Sequence, residues 1–500
     1  MSFFLARIAG PAPCNYAFVG LGSTSRKEAT PYSDLEYAIL FDRVKSDDGD
    51  QDSEARTYFR FLAYLIQVEI LKLGETLLPS VAIASLNNFY SENKEDDWFY
   101  DDAIPNGFSF DGFMPWACKT PLGRKSWRGK PAQEYIMTID EMLNLQNVSA
   151  SSFKECLETA NVFSSVCFLY GDENLVTTYQ QKLSAILSDT TRVVSFRDRI
   201  MVVMRNLLEK YQIDNLESKG FGMQQNVKDE VYRLVSLLVE QIAKYFGIFG
   251  KSSWQSIRDM YEMGILTMEN ARNLLVALSI TTELRLQCYQ KHGMQKEALP
   301  TVPQLSLSGN EDAPNTNTST IIRLYSSLFP LTNTMLQALE NPLSSDLHSV
   351  LLNANLYDDT PFSRGMAYMR MLNLPKALVC FDLVKESVND STKVKVLLLQ
   401  AYCYRMVGRF QKVFECCQEV EDLYSTIPQS LHNQDHLQAL LSMMHTFMDL
   451  GLYQEALKIQ EQIKACSSNL KNDALIYFLI SSAVLFTKMN RPRVAEILFK

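Results

Sequence analysis

The sequence predicts a mostly α-helical protein headed by one small α+β domain: a small mixed sheet with helices, then an all-α helical bundle, then an α-solenoid of helical repeats. Three observations predict it. Two short apolar runs, residues 16–19 and 35–41, flank a Gly/Ser turn and a polar loop, which reads as strand, turn, strand. From about residue 139 to 292 apolar residues recur at helical spacing throughout. Beyond residue 320 a short turn signature returns four times, each time ahead of an apolar helix.

The first strand, residues 16–19, runs into Gly20-Leu-Gly-Ser23. Gly22 lets the backbone approach a ligand closely, and the amides of a Gly22-Ser23 turn form an anion-binding concavity suited to a triphosphate. Asp34 and Glu36 open the second strand. Side chains alternate faces along a strand, so both carboxylates project from one side while Leu35 and Tyr37 point to the other. Two like charges so close repel unless a cation sits between them. Hard carboxylate oxygens suit Mg2+, with Mn2+ as the alternative. Arg26 adds either a bidentate phosphate contact or a structural pairing with Glu28 or another acid.

Gly22-Ser23, ten residues, then Asp34-x-Glu36 on a strand resembles the signature of the DNA polymerase beta-like nucleotidyltransferases. Gly22-Ser23-x-x-Arg26-x-Glu28 followed by Ser33-Asp34-x-Glu36 resembles more narrowly the branch of glutamine-synthetase adenylyltransferase and protein-PII uridylyltransferase. The resemblance implies a Mg2+-dependent enzyme that moves a nucleoside monophosphate from an NTP, ATP or UTP foremost, to a protein or small-molecule acceptor, releasing pyrophosphate. Asp34 and Glu36 would then be catalytic metal ligands, and Gly22, Ser23 and Arg26 would hold the nucleotide.

After the second strand comes an acid-rich loop, residues 42–53, and then an amphipathic helix over 54–74, with Phe59, Leu62, Ile66 and Ile70 at helical spacing. Residues 80–86 are a candidate third strand, 91–102 are acidic and aromatic, and 103–107 form a loop. Phe108-Ser-Phe-Asp111 alternates like a half-buried strand, and beside the 35–41 strand its polar face would meet Asp34 and Glu36. Its Asp111 is the candidate for the third catalytic, metal-binding carboxylate that the resemblance implies, or else a turn-initiating aspartate before Gly112. A basic loop over 118–130, facing phosphate, acceptor or solvent, closes a nucleotidyltransferase domain at residues 1–138.

Residues 139–294 read as the bundle, with amphipathic periods at 153–169, 175–187, 197–211, 227–246 and 268–288. Tyr170-Gly-Asp-x-x-Leu175 resembles a step of the helical domain that accompanies this branch, as does the stretch from Trp254 to Gln287. Thr267 is the expected N-cap of its last helix. The resemblance covers roughly residues 15–290. Residues 295–320, rich in Pro, Asn, Ser and Thr, are a linker.

In the remainder, 321–500, the turn signature places Ala377, Val413, Ala456 and Ala495 at corresponding positions, 36, 43 and 39 residues apart. This resembles tetratricopeptide repeats, whose paired helices stack into a solenoid with a concave protein-binding face; ordinary α-hairpins are the alternative. The last helix stops abruptly, which suggests a longer natural chain.

Composition bounds the function. A chain of 500 residues with 47% hydrophobic content can fill about three cores. A net charge of −9 argues against a nucleic-acid partner. No apolar run is long enough to span a bilayer, and ten cysteines without framework spacing fit a reducing compartment, so the expected location is cytoplasmic. With five histidines and no ligand spacing among them, a zinc site does not compete. The rival class is a catalytically inactive nucleotide-binding scaffold whose repeats assemble partners.

Overall fold

The computed structural model describes residues 8–31, 33, 35–43, 51–72, 110–111, 114–118, 121, 134–147, 153–188, 195–211, 225–293, 298–299, 318–340, 346–425, 434–466 and 472–494. Asp34, the candidate strand at 80–86, the loop at 103–107 and most of the basic loop and of the linker lie outside these residues. Contacts divide the chain into two compact units. One comprises Met1–Lys219, Gln224–Leu299 and Pro330–Tyr357; the other comprises Gly220–Met223, Pro300–Phe329 and Asp358–Lys500.

The first unit is built on a four-stranded sheet. Strand β1 (Tyr16–Gly20) leads through a single helical turn, α1 (Gly22–Ser25), to β2 (Tyr37–Phe41), with Phe18 opposite Ile39 in an antiparallel pair. Helix α2 (Gln51–Lys72) follows. Its Ala55, Phe59, Leu62 and Ala63 pack on Phe18, Ile39, Phe41 and Ile136, closing one core. These residues alternate along the strands and recur every three or four along the helix, so the two periods meet on one apolar layer.

Two short strands, β3 (Phe110–Asp111) and β4 (Met114–Cys118), pair only with each other among the described residues. The place beside β2 goes to β5 (Ile136–Met137), which runs parallel to it. Among the described residues the Asp111 strand does not pair with β2, the arrangement under which it would meet Asp34 and Glu36.

Helix α3 (Ile139–Asn144) starts at a capping box, in which Thr138 accepts from the Glu141 amide and the Glu141 carboxylate accepts from the Thr138 amide. Arg56 of α2 grips that carboxylate with both oxygens at 2.6 Å, tying helix to sheet. Helix α4 (Phe153–Phe163) ends where the sequence predicted continued helix. Cys167–Gly171 is instead strand β6, which pairs antiparallel with β1 and completes the order β5-β2-β1-β6. Ser164 and Ser165 break the helix, and the aromatic run Phe168–Tyr170 takes the extended form because β1 offers it a ladder.

Helices α5 (Glu173–Leu187) and α6 (Phe196–Lys210) follow. A two-residue strand, β7 (Gln225–Asn226), leads into a π-helical turn, Lys228–Tyr232, that runs straight into α7 (Arg233–Tyr245). Helices α8 (Ser253–Glu262) and α9 (Met268–His292) complete the run, the latter capped by Thr267 as expected, its hydroxyl 3.2 Å from the Asn270 amide. Strand β8 (Ala298–Leu299) returns to pair with β7. Helix α10 (Thr318–Glu340) carries Pro330 in its interior, and the unit boundary falls at that proline. Helix α11 (Leu347–Asn353) and the stretch after it rejoin the first unit: the Asn270 amide donates to the Ala354 carbonyl at 2.8 Å and its oxygen accepts from the Leu356 amide at 3.0 Å.

The second unit is helical. It holds α12 (Pro361–Arg370), α13 (Leu374–Lys385), α14 (Asp390–Met406), α15 (Phe410–Ser425), α16 (Gln434–Asp449), α17 (Tyr453–Cys466) and α18 (Asn472–Lys488), each packed on the next. Four turns close the same way. Leu372, Gly408, Gly451 and Asn490 take the left-handed conformation, and the next amide donates back to the carbonyl five residues earlier, as from Arg409 to Tyr404 and from Leu452 to Phe447, both at 2.8 Å. Ala377, Val413 and Ala456, the positions that recur in the sequence, are completely buried, because only a small or flat side chain fits where consecutive helices meet. Ala495 lies outside the described residues.

Candidate functional site

The end of β1 is shaped by two close approaches. A side chain on Gly20 would put its Cβ 2.9 Å from both the Cys167 sulfur and the Thr24 methyl. Gly22 is left-handed at φ 54°, and a Cβ there would sit 1.6 Å from Oε2 of Glu36. Glycine is thus required at position 22 twice over, by conformation and by the carboxylate that leans on it. Glu36 is also anchored through its backbone, whose carbonyl accepts from the Leu21 amide at 2.9 Å. The Leu21–Glu36 backbone bond, one residue beyond the β1–β2 pairs, therefore brings three predicted site residues together, Gly22, Ser23 and Glu36, the last just ahead of β2 and not on it as expected. The amides that head a helical turn have no intrahelical acceptor, so α1 presents Gly22 and Ser23 as donors beside an acid.

The turn closes behind these residues. The Ser25 hydroxyl donates to the Gly22 carbonyl at 2.8 Å, the Lys27 amide to Thr24 at 3.1 Å and the Glu28 amide to Ser23 at 2.9 Å. Lys27 accepts a φ of 57° to allow it. Arg26 and Glu28 are thereby turned into the interior rather than toward the acid.

What they meet there is a buried ionic cluster. Arg26 Nε donates to Glu28 Oε2 at 3.2 Å and to the Ser236 hydroxyl at 3.1 Å, while Nη1 donates to Glu240 Oε2 at 3.1 Å. The Tyr232 and Ser236 hydroxyls both donate to the same Glu28 oxygen, the former at 2.6 Å. Lys244 Nζ lies 2.7 Å from Glu240 Oε1 and donates to the backbone and side-chain oxygens of Asn161 at 3.0 and 3.1 Å. The Arg285 guanidinium stacks 4.1 Å from the centre of the Tyr232 ring. Glu28 and Glu240 thus face Arg26 and Lys244 in the interior, with Arg285 added across the Tyr232 ring.

Burial pushes the Glu240 carboxyl up, yet Lys244 and Arg26 outweigh it and hold it at about 2. Burial pulls Arg26 down, and Glu240 with Glu28 raises it well above its usual range. Burial and the Glu28 carboxylate push Tyr232 to about 12.

Tyr232, Ser236, Glu240 and Lys244 stand four apart on one continuous helical run whose other buried positions are apolar except for Gln241, among them Leu234, Val235, Leu238, Val239 and Ile242. The sequence reading passed over this stripe. Its signal was present, since a polar residue at every fourth position of a mostly apolar helix marks a partner with its own charges.

The other predicted residues are placed less completely. Asp34 lies outside the described residues. Asp111 is described through its backbone alone, in the β3–β4 pair. Among the described residues no group of three His, Cys, Asp or Glu could hold a metal ion; the acid seen at the turn is Glu36. A cleft of 720 Å³ lined by Gln180, Ser184, Lys251 and Asp259, among others, shares no residue with this site.

The family model described as "Putative nucleotidyltransferase DUF294" matches residues 3–94, the stretch holding β1, α1, Glu36 and β2. No curated protein matches the chain. The N-terminal stretch is thus similar to nucleotidyltransferase domains, and a small mixed sheet followed by helices is the architecture such a domain requires. Among the described residues no helix is long and apolar enough to cross a membrane.

Proposed function

We propose that this chain is a divalent-metal-dependent nucleotidyltransferase that moves a nucleoside monophosphate from an NTP, ATP or UTP foremost, to a hydroxyl of a protein or small molecule. The observation that carries the reading is the Glu36 carboxylate lying against Gly22 at the head of the Gly-Ser turn. An acid beside a row of amide donors suits a phosphate chain that arrives with its cation. Glu36 supplies the hard oxygens Mg2+ prefers, so the residue fits the metal; Asp34, and Asp111 as the third acid, would complete the set. A cation held there neutralises the leaving pyrophosphate and sharpens the acceptor oxygen.

The amides of Gly22 and Ser23, with the Ser23 hydroxyl, would orient the terminal phosphates. In the transfer the acceptor oxygen bonds to the α-phosphorus, the bond to the bridging β-phosphate oxygen breaks, the hydroxyl proton passes to solvent and pyrophosphate departs. The helices of the second unit, as tetratricopeptide-like repeats, would bring in a protein acceptor. The second reading, a nucleotide-binding scaffold without transfer, is favoured by the Asp111 strand pairing away from β2.

The test is pyrophosphate release from Mg-ATP and Mg-UTP by the whole protein, beside Glu36→Gln. Release that falls by orders of magnitude in the variant is expected. Nucleotide binding without release would select the scaffold, and equal release by both proteins would remove Glu36 from the site.

A further inference from the structure

We propose that Arg26 is a positioning residue and not a phosphate ligand: through Arg26 and Glu28, helix α7 holds the Gly22–Ser23 turn in its binding geometry, with Glu240 as the anchor. The inference rests on the nucleotidyltransferase reading for what the turn binds, but its geometric content stands apart from it.

Three observations carry it. The Arg26 side chain is only 12% exposed and makes three hydrogen bonds to Glu28, Ser236 and Glu240. A phosphate that recruited this guanidinium would have to strip it from two buried carboxylates, leaving Glu240 with Lys244 and the Ser165 hydroxyl and Glu28 with two hydroxyls. Leaving a buried charge without its partner is strongly unfavourable, and a single phosphate contact does not offset it.

Second, Glu28 follows the turn by one hydrogen bond, its amide to the Ser23 carbonyl at 2.9 Å. Wherever Glu28 is fixed, Ser23 is fixed. Glu28 is 3% exposed, and Tyr232 and Ser236 donate to the same oxygen that accepts from Arg26.

Third, α7 is prepared for this task along its length. The π-helical turn at Lys228–Tyr232 offsets the start of the helix, so that Tyr232 reaches Glu28 while Lys244, three turns on, reaches Asn161 at the end of α4. The stripe therefore joins the back of the turn to the helix that leads into β6, the strand paired with β1. An entire side of the turn is braced before any ligand arrives, the pre-organisation that a phosphate site needs.

The experiment uses the full chain with Arg26→Gln, Arg26→Lys, Glu240→Gln and the Arg26→Gln/Glu240→Gln double variant. Two quantities are read: affinity for Mg-ATP and Mg-UTP, and amide hydrogen exchange of Ser25, Lys27 and Glu28 against Leu238 and Val239 of α7. Glu240→Gln, which never meets the nucleotide, is expected to weaken binding about tenfold or more. It should speed exchange in the turn while α7 stays protected, and the double variant should be no weaker than the worse single one. Arg26→Lys should recover part of the loss.

If Glu240→Gln binds as tightly as wild type while Arg26→Gln does not, Arg26 is a phosphate ligand and the proposal fails. If exchange rises equally in α7, the cluster is a stability element and the proposal also fails. Should Glu240→Gln not fold, Ser236→Ala removes one hydroxyl from the same cluster, and the same two outcomes decide. Should wild type bind neither nucleotide, the functional reading falls, and turn exchange alone still decides the bracing.

Discussion

In the unit that holds the Gly22–Ser23 turn, Glu28, Arg199, Lys244 and Arg285 are each 3% exposed or less, whereas in the unit of α12–α18 no described Asp, Glu, Lys or Arg is buried. The second unit fills its interior with Leu, Val, Ala, Met and cysteines such as Cys403 and Cys417, both fully buried. Its nearest counterpart to the ionic cluster, Lys385 and Lys393 around Glu419 at 2.5 and 3.0 Å, sits 24–33% exposed. Apolar contacts hold helices together without fixing any one atom, which suffices for hairpins that repeat. Buried ions hold when each partner is in its place and cost dearly otherwise, so they specify a position. The first unit has a position to specify.

The comparison breaks most visibly at Glu240. Glu240→Ala leaves Arg26 and Lys244 buried beside a void, and a loss of about 3–5 kcal/mol is expected, read as urea unfolding followed through the tyrosines. A loss below about 1 kcal/mol would mean water reaches the cluster freely.

Acid should separate the units next. The Glu240 carboxyl is lowered in the folded chain from 4.5 to about 2, so its contribution is complete above pH 4.5 and is lost as pH falls toward 2. Linkage puts that contribution at roughly 3 kcal/mol. Protection factors of Ser25, Lys27 and Glu28 should drop over that window, those of α15 far less, and Glu240→Gln should flatten the response of the turn. The groups facing Glu240 are Lys244, Arg26 and the Ser165 hydroxyl, and the two cations keep their charge throughout. A response in the Gln variant as steep as in wild type would assign the acid step elsewhere.

Cys417→Ser probes the other interior. A hydroxyl in place of a fully buried thiol is expected to cost about 1–3 kcal/mol, seen as a lower melting temperature with unchanged nucleotide binding. Altered binding would contradict the separation of roles. The smallest effect is expected at the surface: Glu419→Gln should cost about 1 kcal/mol or less and less still at high salt, by the same melting experiment.

How far these features could be read in advance depended on how local they are. The first two strands announce themselves, because an apolar run, Gly20-Leu-Gly-Ser23 and a second apolar run fall within 26 residues, Tyr16 to Phe41. The helix caps and the repeat turns are equally local, which is why Thr267 and the buried Ala377, Val413 and Ala456 were identifiable. Strand β6 was read as helix because what makes it a strand is β1, about 150 residues earlier. Arg26 was left between two roles for the same reason. Glu28 is two residues away, but Ser236 and Glu240 are 210 and 214 away, and only the fold sets them against the guanidinium. The acid pair itself was legible as chemistry; of the two, Glu36 is the one whose surroundings the structure describes.

The return of residues 330–357 to the first unit bears on how the chain is made. Synthesis proceeds from the N-terminus, and domains ordinarily fold as they emerge. Here the amide of Asn270 must wait for Ala354 and Leu356, and the Arg205 guanidinium for the Leu339 carbonyl, 3.0 Å away in the finished protein. A nascent chain stopped near residue 300 would thus hold the Gly-Ser turn and α7 but lack their neighbours' last partners. Folding of the first unit is thereby coupled in time to translation well past residue 300, and the same threading prevents the two units from being recombined by a single cut between them.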